Sequence, residues 1–248
     1  MRRLAVIPAR YASSRFPAKP LAELRGKCMI MWVYDAVAAS ALFDRVVVAT
    51  DDERIERKVR ECGGDVMMTS KDCSCGTQRC DEVLATLERA GEYYDLVVNV
   101  QGDEPLIKKE QLEDVVSLFK NKDCRIATLA KRIECAEDLF SPDCVKVVFA
   151  ENRAIYFSRS VIPYLRGVER EDYLKHACHY KHIGLYAYRS ETLHEIVRLP
   201  LSTLEKAESL EQLRWLEKGL CIFIKPTAFE SFGVDTPEDL ERINRMLE

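Results

Sequence analysis

Short apolar runs alternate with stretches of helical period along the first half of the chain. The apolar runs span residues 4–7, 45–49, 65–68, 96–100 and 125–129, and the helical stretches span 28–39, 52–62, 80–90 and 109–119. Strands joined by crossover helices form parallel sheets, and runs that are apolar throughout are typical of strands buried on both faces. The pattern therefore predicts an α/β fold with a doubly wound, mainly parallel sheet that helices cover on both faces.

From about residue 144 the pattern changes to shorter strands joined by polar segments. Residues 145–150 and 155–158 are predicted strands with a Glu-Asn-Arg turn between them, and residues 181–188 are a third strand. In this third strand, positions 183, 185 and 187 form an apolar face, and positions 182, 186 and 188 form a polar or aromatic face. A helix at 209–217, a strand at 221–225 and a helix at 237–246 follow. We expect an antiparallel insertion within one domain, residues 1–248, with halves at 1–143 and 144–248.

Composition narrows the classes of protein that are possible. The 248 residues are 47% hydrophobic and 31% charged, with a formal net charge of −4, which argues against a general nucleic-acid binder. No apolar run approaches the length of a membrane span, and Met1-Arg2-Arg3 leads directly into the first predicted strand. We therefore expect a cytoplasmic protein that does not insert into membranes.

Ten cysteines are many for such a chain, and we expect them to be reduced thiols. An alternative is a structural zinc site, but no Cys-x-x-Cys pair is present and the spacing matches no common zinc module. The residues that such a site would use are Cys73, Cys75, Cys80, His176, Cys178, His179 and His182.

Three cations follow the first predicted strand within ten residues. They are Arg10, Arg15 and Lys19, and Pro17 and Pro20 stiffen the segment that carries them. Ligands of α/β sheets bind outside the carboxyl ends of the strands, so this cluster predicts a polyanion such as a nucleoside triphosphate. The alternative is an ordinary solvated basic loop. The chain lacks both Gly-x-Gly-x-x-Gly and the Gly-x-x-x-x-Gly-Lys-Ser/Thr loop, which leaves side-chain cations as the phosphate ligands.

Two carboxylates are candidates for a Mg²⁺ site. Asp103 follows the apolar run 96–100 and comes directly after Gly102, a residue that allows close backbone approach to a ligand. Asp235 stands just before Thr236, which is a predicted N-cap followed by Pro237.

For the first of these positions there is an alternative. In this alternative, Asp103 and Glu104 cap a helix that begins near Ile107. Thr50, Asp51 and Asp52 are interpreted as an ordinary helix start.

Polar residues of the second half suit a polyhydroxylated acidic substrate. They are Arg159, His182, Tyr186, Glu211 and Gln212, and the guanidinium of Arg159 can grip a carboxylate through two hydrogen bonds. Each has a simpler alternative when taken singly. Glu211 could pair with Arg214 or Lys218 on the surface, and His182 could be a histidine whose hydrogen bonds are satisfied within the sheet.

Seven segments carry a resemblance that runs nearly from end to end. They are Ile7-Pro8-Ala9-Arg10 with Arg15 and Lys19, Gly76-Thr77-x-Arg79, Gln101-Gly102-Asp103-Glu104-Pro105, Tyr156-Phe157-Ser158-Arg159, Lys181-His182-Ile183-Gly184-x-Tyr186, Leu210-Glu211-Gln212-Leu213-Arg214 and Val234-Asp235-Thr236-Pro237-Glu238-Asp239. In this order they closely resemble the 3-deoxy-manno-octulosonate (Kdo) cytidylyltransferases, or CMP-Kdo synthetases. The resemblance implies a nucleotide-diphospho-sugar transferase-like fold and a reaction of CTP with Kdo that gives CMP-Kdo and pyrophosphate for lipopolysaccharide synthesis.

The resemblance also implies roles for individual residues. Arg10, Arg15 and Lys19 would neutralise the triphosphate, and Asp103 and Asp235 would hold Mg²⁺. Pro8, Ala9, Gly76, Thr77 and Arg79 would bind cytosine and ribose, and Gln101 would take part in the nucleotide and sugar sites. Arg159, His182, Tyr186, Glu211 and Gln212 would bind the sugar acid. It implies a homodimer formed largely through the insertion.

Two positions depart from the family's pattern. The usual Ser-Gly-Thr-Glu/Asp-Arg is Cys75-Gly76-Thr77-Gln78-Arg79 here, and the usual glycine before Lys19 is Ala18. A thiol is a weaker hydrogen-bonding group than a hydroxyl, and an alanine matters only where φ is positive. Two other functions stay open: the same chemistry on an 8-amino Kdo or a related 3-deoxy-ulosonic acid, and a nucleotide-sugar-binding protein without catalysis.

Overall fold

The computed structural model describes residues 1–12 and 16–247, so Arg15 lies outside the described residues. Contacts along the chain group into two compact units. The first unit contains Met1–Glu113, Ala187–Val197 and the segment from Ser231 to the C-terminus, and the second contains Asp114–Tyr186 and Arg198–Glu230. Both predicted halves of the chain contribute residues to the first unit.

The strands and helices of the described residues are as follows. The strands are β1 (Arg3–Ala9), β2 (Glu23–Leu24), β3 (Lys27–Cys28), β4 (Arg45–Thr50), β5 (Val66–Met68), β6 (Leu96–Asn99), β7 (Ile126–Arg132), β8 (Lys146–Ala150), β9 (Arg153–Ser158), β10 (Tyr180–Arg189) and β11 (Ile222–Thr227). The helices are α1 (Met29–Ala39), α2 (Glu53–Glu61), α3 (Gly76–Arg89), α4 (Lys109–Ser117), α5 (Ala136–Phe140), α6 (Tyr173–His176), α7 (Ser190–Ile196), α8 (Thr203–Glu208), α9 (Gln212–Glu217) and α10 (Pro237–Met246). None of the helices within residues 1–12 and 16–247 has the length and apolar character needed to cross a membrane.

The first unit contains the parallel sheet that the apolar runs predict. Its strands lie in the order β5-β4-β1-β6, and β1 pairs in parallel with both β4 and β6. Leu4, Val6 and Ile7 of β1 are fully buried, as expected for a central strand covered on both faces. The parallel order places the carboxyl ends of β1, β4 and β6 at one edge of the sheet.

Helix α10 closes the first unit and begins where the sequence predicts. Thr236 caps it and forms a reciprocal capping box with Asp239, and Pro237 is its first residue. Its Ile243 packs with Val234, Leu24 of β2 and Met29 of α1 in a buried apolar cluster. This packing fixes the segment that carries Asp235.

The second unit has strands of both directions. They follow the order β10-β7-β11-β9-β8, and β8 also pairs with β10. The pairs β8–β9, β8–β10 and β9–β11 are antiparallel, whereas β7–β11 is parallel. The predicted antiparallel strands are therefore present, but the fold is a mixed one. Glu151 and Asn152 form the β8–β9 turn with positive φ values of 48° and 62°.

Several elements differ from the sequence-based expectation. Helix α3 begins at Gly76 rather than at residue 80; Gly76 and Thr77 have weak helical preference, so the sequence pattern does not indicate this first turn. Helix α9 begins at Gln212 rather than residue 209, because Ser209, with a φ of 53°, ends α8. Helices α5 to α8 have four to seven residues, too few to show a helical period. In β10 the predicted aromatic face is buried too, since Tyr186 and Tyr188 are 7% and 0% exposed.

Candidate active site

A pocket of about 400 Å³ lies in the first unit at the carboxyl ends of β1 and β6. It is lined by Pro8, Ala9, Arg10, Ala12, Lys19, Pro20, Gly76, Arg79, Gln101, Gly102, Asp103 and Asp235. Its size is that of a small-molecule site, and its lining carries both cations and carboxylates. Of the described residues predicted to bind nucleotide, all but the buried Thr77 belong to this lining; Arg15 lies outside the described residues.

The ammonium group of Lys19 stands between two carboxylates that are distant in sequence. Its Nζ lies 2.6 Å from Oδ2 of Asp103 and 3.3 Å from Oδ1 of Asp235. The backbone N–H of Val234 donates to the carbonyl of Asp103 at 2.9 Å and ties the two acidic segments together. The structure thus brings both predicted metal ligands to one cation position.

The alternative that Asp103 and Glu104 cap a helix does not fit this arrangement. Helix α4 begins only at Lys109, and its preceding N–H, on Lys108, is bonded by the side chain of Gln111. Burial, and secondarily the charge of Asp103, raises the pKa of the Glu104 carboxyl to about 7. Asp103 therefore does not cap α4, and its side chain lines the pocket.

Gly102 allows a close approach of its backbone, but the group that lies close to it is the backbone of Pro8 and not a ligand. A Cβ at Gly102 would stand 2.6 Å from the carbonyl oxygen of Pro8. The absence of a side chain therefore lets the segment after β6 lie against the end of β1, where it presents Gln101 and Asp103 to the pocket.

Arg79 lines the pocket from the first turn of α3 although its side chain is 1% exposed. Its guanidinium donates to Oδ2 of Asp51 at 2.7 Å and to Oγ1 of Thr69 at 2.7 Å. The acceptor Asp51, interpreted from the sequence as part of a helix start, is therefore the charge partner of a pocket residue. If Arg79 binds the base as predicted, it does so while its guanidinium is paired with Asp51.

Asn99 lies next to the pocket lining, although the sequence pattern does not indicate it as a site residue. It ends the apolar strand β6, is 3% exposed, and its Oδ1 has no hydrogen-bond partner among the described residues. A Cβ at Gly76 would lie 3.3 Å from its Nδ2, so it stands directly behind the pocket lining. The sequence feature that could have indicated Asn99 is a polar residue at the end of an otherwise apolar strand.

The two departures from the family pattern have clear local settings. Ala18 has a positive φ of 59°, a conformation that glycine adopts more readily than alanine. The alanine therefore costs about 1 kcal/mol of folding free energy at this position. Gln78 accepts from the N–H of Ser74 at 2.7 Å and from its hydroxyl at 3.0 Å. The carbonyl of Ser74 in turn accepts from Arg10 at 3.4 Å. A neutral amide oxygen therefore serves as acceptor where the family usually has a carboxylate.

Replacing Gln78 by leucine should weaken CTP binding about fivefold, because the two hydrogen bonds from Ser74, together worth about 1 kcal/mol, no longer order the segment that Arg10 contacts. The matched variant Gln78→Glu keeps the acceptor and should bind CTP as the wild type does. Titration calorimetry with CTP measures both. Equal affinities for the leucine and glutamate variants would contradict this role.

Arg159 lies in the second unit, at the end of β9. Its guanidinium donates to three backbone carbonyls, those of Pro142, Glu208 and Ser209, at 2.8 to 3.5 Å. Its backbone N–H is bonded by the Glu208 carboxylate at 2.9 Å. Carbonyl oxygens fix the orientation of the guanidinium without neutralising its charge, which suits a residue that attracts an anion.

Apart from Gln101, which lines the pocket of the first unit, the other residues predicted to bind the sugar also lie in the second unit. The His182 ring lies 5.2 Å from that of Tyr186, whose pKa is raised by burial and by the charge of Glu211. Gln212 is buried at the start of α9. The structure thus brings His182, Tyr186 and Glu211 into one neighbourhood.

His182 also makes a hydrogen bond within the sheet, as its simpler alternative predicts. Its Nε2 lies 3.1 Å from the hydroxyl of Thr128, and burial lowers its pKa to about 3. For Glu211, two pairing partners were named beforehand, and one of them, Arg214, makes contacts of 2.5 and 2.6 Å with Glu205.

Acid should destabilise the protein through His182. The folded-state pKa of about 3 lies below the value of about 6.5 in an unfolded chain, so the neutral imidazole favours folding above pH 6.5. This contribution, up to about 5 kcal/mol, is lost as the pH falls from 6.5 to 3. His182→Gln cannot titrate, so urea unfolding across this range should show a flatter dependence than the wild type. The same pH dependence of the free energy of unfolding in both proteins would contradict this prediction.

Within residues 1–12 and 16–247, no group of three or more His, Cys, Asp or Glu side chains is arranged to hold a metal ion. The residues considered for a zinc site therefore do not form one in the described part of the chain. All ten cysteines are free thiols there. The pair Asp103 and Asp235 would need phosphate oxygens and water to complete the shell of a Mg²⁺ ion.

The fold and the pocket define a nucleotide-binding protein of mixed α/β architecture. The sequence profile of the cytidylyltransferase family matches residues 4–242. The 3-deoxy-manno-octulosonate cytidylyltransferase of Phocaeicola vulgatus is 52% identical over all of this chain and 98% of its own length. The chain belongs to the 3-deoxy-manno-octulosonate cytidylyltransferase family.

Solved structures agree with this assignment. A CMP:2-keto-3-deoxy-manno-octonic acid synthetase complexed with CTP has a TM-score of 0.91 and 40% identity, covering 100% of this chain and 98% of the other. A cytidylyltransferase from Leptospira borgpetersenii has a TM-score of 0.63 at 17% identity, covering 98% of this chain and 85% of its own. The second shows the fold alone.

Proposed function

We propose that this protein transfers CMP from CTP to Kdo, releasing pyrophosphate and giving CMP-Kdo for lipopolysaccharide synthesis. One observation carries the proposal: a pocket at the strand ends places Lys19 between Asp103 and Asp235 in a chain of this family. The relatives that share the chain's full length are named for this activity. We propose a cytoplasmic location for the same reaction.

The nucleotide is assigned to the pocket of the first unit. Arg10 and Lys19 supply charge for the triphosphate, and Arg15, outside the described residues, is proposed to join them. Pro8, Ala9, Gly76 and Arg79 form the part assigned to cytosine and ribose, with Thr77 buried behind it and Gln101 beside it. The described lining residues include no serine, threonine, cysteine or histidine that could act as the nucleophile, which suits direct transfer.

In the proposed reaction the anomeric hydroxyl oxygen of Kdo forms a bond to the α-phosphorus of CTP. The bond from that phosphorus to the bridging oxygen breaks, pyrophosphate leaves with the electron pair, and the hydroxyl proton passes to solvent. Arg10 and Lys19 stabilise the charge that develops on the departing group, and the protein acts by positioning and electrostatics.

Asp103 and Asp235 are the residues that would hold Mg²⁺. Both already contact one cationic nitrogen, and carboxylates with phosphate oxygens and water are the ligand set that Mg²⁺ prefers. The ion, when bound, would acidify the attacking hydroxyl and offset phosphate charge.

The sugar acid is assigned to residues of the second unit: Arg159, His182, Tyr186, Glu211 and Gln212. Gln101 is a further proposed contact. The uncompensated guanidinium of Arg159 suits the carboxylate of Kdo. We also propose a homodimer in which the antiparallel strands take part.

Pyrophosphate release from CTP, Kdo and Mg²⁺ by the pure protein tests this function. We expect turnover that depends on all three components, with CMP-Kdo as the product. Comparison with 8-amino Kdo decides the sugar, because an amine in place of a hydroxyl alters only one or two pocket contacts. CTP binding without turnover on either sugar would instead support a nucleotide-sugar-binding protein.

A further inference from the structure

Lys19 occupies the place that the proposed metal ion would take. Its Nζ contacts Oδ2 of Asp103 and Oδ1 of Asp235, the same two carboxylates that are assigned to Mg²⁺. Its side chain is 13% exposed, so the ammonium is mostly withdrawn from water. Two cations cannot occupy one position, and repulsion between them is strong at such distances.

The backbone around Lys19 explains why its ammonium reaches this position. Ala18, with a φ of 59°, donates its N–H to the carbonyl of Tyr11 at 3.0 Å and reverses the chain. Lys19 then begins a short 3-10 helix in which the N–H of Leu21 donates to the carbonyl of Ala18 at 2.8 Å. Pro20, buried in this turn, fixes its backbone. The anchor of the side chain is therefore rigid, while its four-carbon stem can change rotamer.

We propose that Lys19 is an internal stand-in for the divalent cation. In the protein without nucleotide its ammonium holds Asp103 and Asp235 together and keeps a metal ion out. A bound triphosphate offers the ammonium a higher density of negative charge than the two carboxylates, draws it away, and opens the position to the metal. This inference rests on the proposed function, because it needs a triphosphate in the pocket.

The consequence is an order of binding. The free protein binds divalent cations poorly, and metal and nucleoside triphosphate enter together. Without the lysine, both carboxylates lose a cation that they contact in common, which favours binding of another cation even when no nucleotide is present.

Binding of Mn²⁺ to the full-length protein without nucleotide tests this inference. Followed by electron paramagnetic resonance, Lys19→Met should bind Mn²⁺ at least about tenfold more tightly than the wild type. Adding Asp103→Asn to Lys19→Met should remove the gain. The matched control is Lys27→Met, since Lys27 pairs with Asp35 outside the pocket lining and its loss should leave Mn²⁺ binding unchanged.

Thermal unfolding gives a second readout that needs no activity. Mn²⁺ should raise the melting temperature of Lys19→Met but not that of the wild type, and Lys19→Gln tests the same point if the methionine variant does not fold. Tight Mn²⁺ binding by the nucleotide-free wild type that Asp103→Asn removes would overturn the inference. So would equal affinities for the wild type and Lys19→Met. These assays contain neither CTP nor Kdo, so absent cytidylyltransferase activity would refute the proposed function separately.

Discussion

Replacing Asp103 by asparagine should lower kcat at least about a thousandfold, because one of the two proposed metal ligands loses its charge and metal stabilisation of phosphoryl transfer is worth several kcal/mol. The fold should persist. Asparagine has the same shape, the backbone bond from Val234 to the carbonyl of residue 103 remains, and Lys19 keeps its contact with Asp235.

Pyrophosphate release at saturating CTP, Kdo and Mg²⁺ measures the effect of Asp103→Asn. The control is Asp123→Asn, which removes an exposed carboxylate from the second unit and should retain full activity. Thermal unfolding of both variants checks that the fold is intact. An Asp103→Asn protein with wild-type kcat would remove the metal role from this residue.

Replacing Arg79 by methionine should reduce the free energy of unfolding by about 3 to 5 kcal/mol, because the variant leaves the carboxylate of Asp51 without its buried partner. Thr69 loses its donor as well. The same variant should lose CTP binding, since α3 begins at the pocket and Arg79 is part of the lining.

The double variant Arg79→Met with Asp51→Asn separates these two effects. Without the carboxylate there is no partly buried charge left unpaired, so urea unfolding should show recovery of most of the lost stability. CTP binding should stay weak in the double variant, because the guanidinium is still missing. A single variant that unfolds within about 1 kcal/mol of the wild type would contradict the argument.

The framework of the fold was predictable because its signals are local. β1, β4 and β6 are almost wholly apolar, and short runs of this kind are typical of parallel strands buried on both faces. The cap at Thr236 was predictable for the same reason, since Thr, Pro and Asp at fixed offsets form a capping box.

The convergence of the site was predictable from topology. Segments that follow neighbouring parallel strands meet at one edge of the sheet, which brings Lys19 to Asp103. Asp235 required the further inference that Thr236 takes over the capping. The pairing of Arg79 with Asp51 was not predictable, because Asp51 beside Asp52 looks like an ordinary helix start. The carbonyl contacts of Arg159 join residues between 17 and 50 positions apart and leave no local pattern.

A crystal structure with a non-hydrolysable CTP analogue and Mn²⁺ tests the central claim most directly, because Mn²⁺ is located by its anomalous scattering. The account predicts one Mn²⁺ bound by carboxylate oxygens of both Asp103 and Asp235 and by phosphate, with Lys19 turned to the triphosphate. A nucleotide bound outside the pocket at the ends of β1 and β6, or a Mn²⁺ that contacts neither carboxylate, would contradict it.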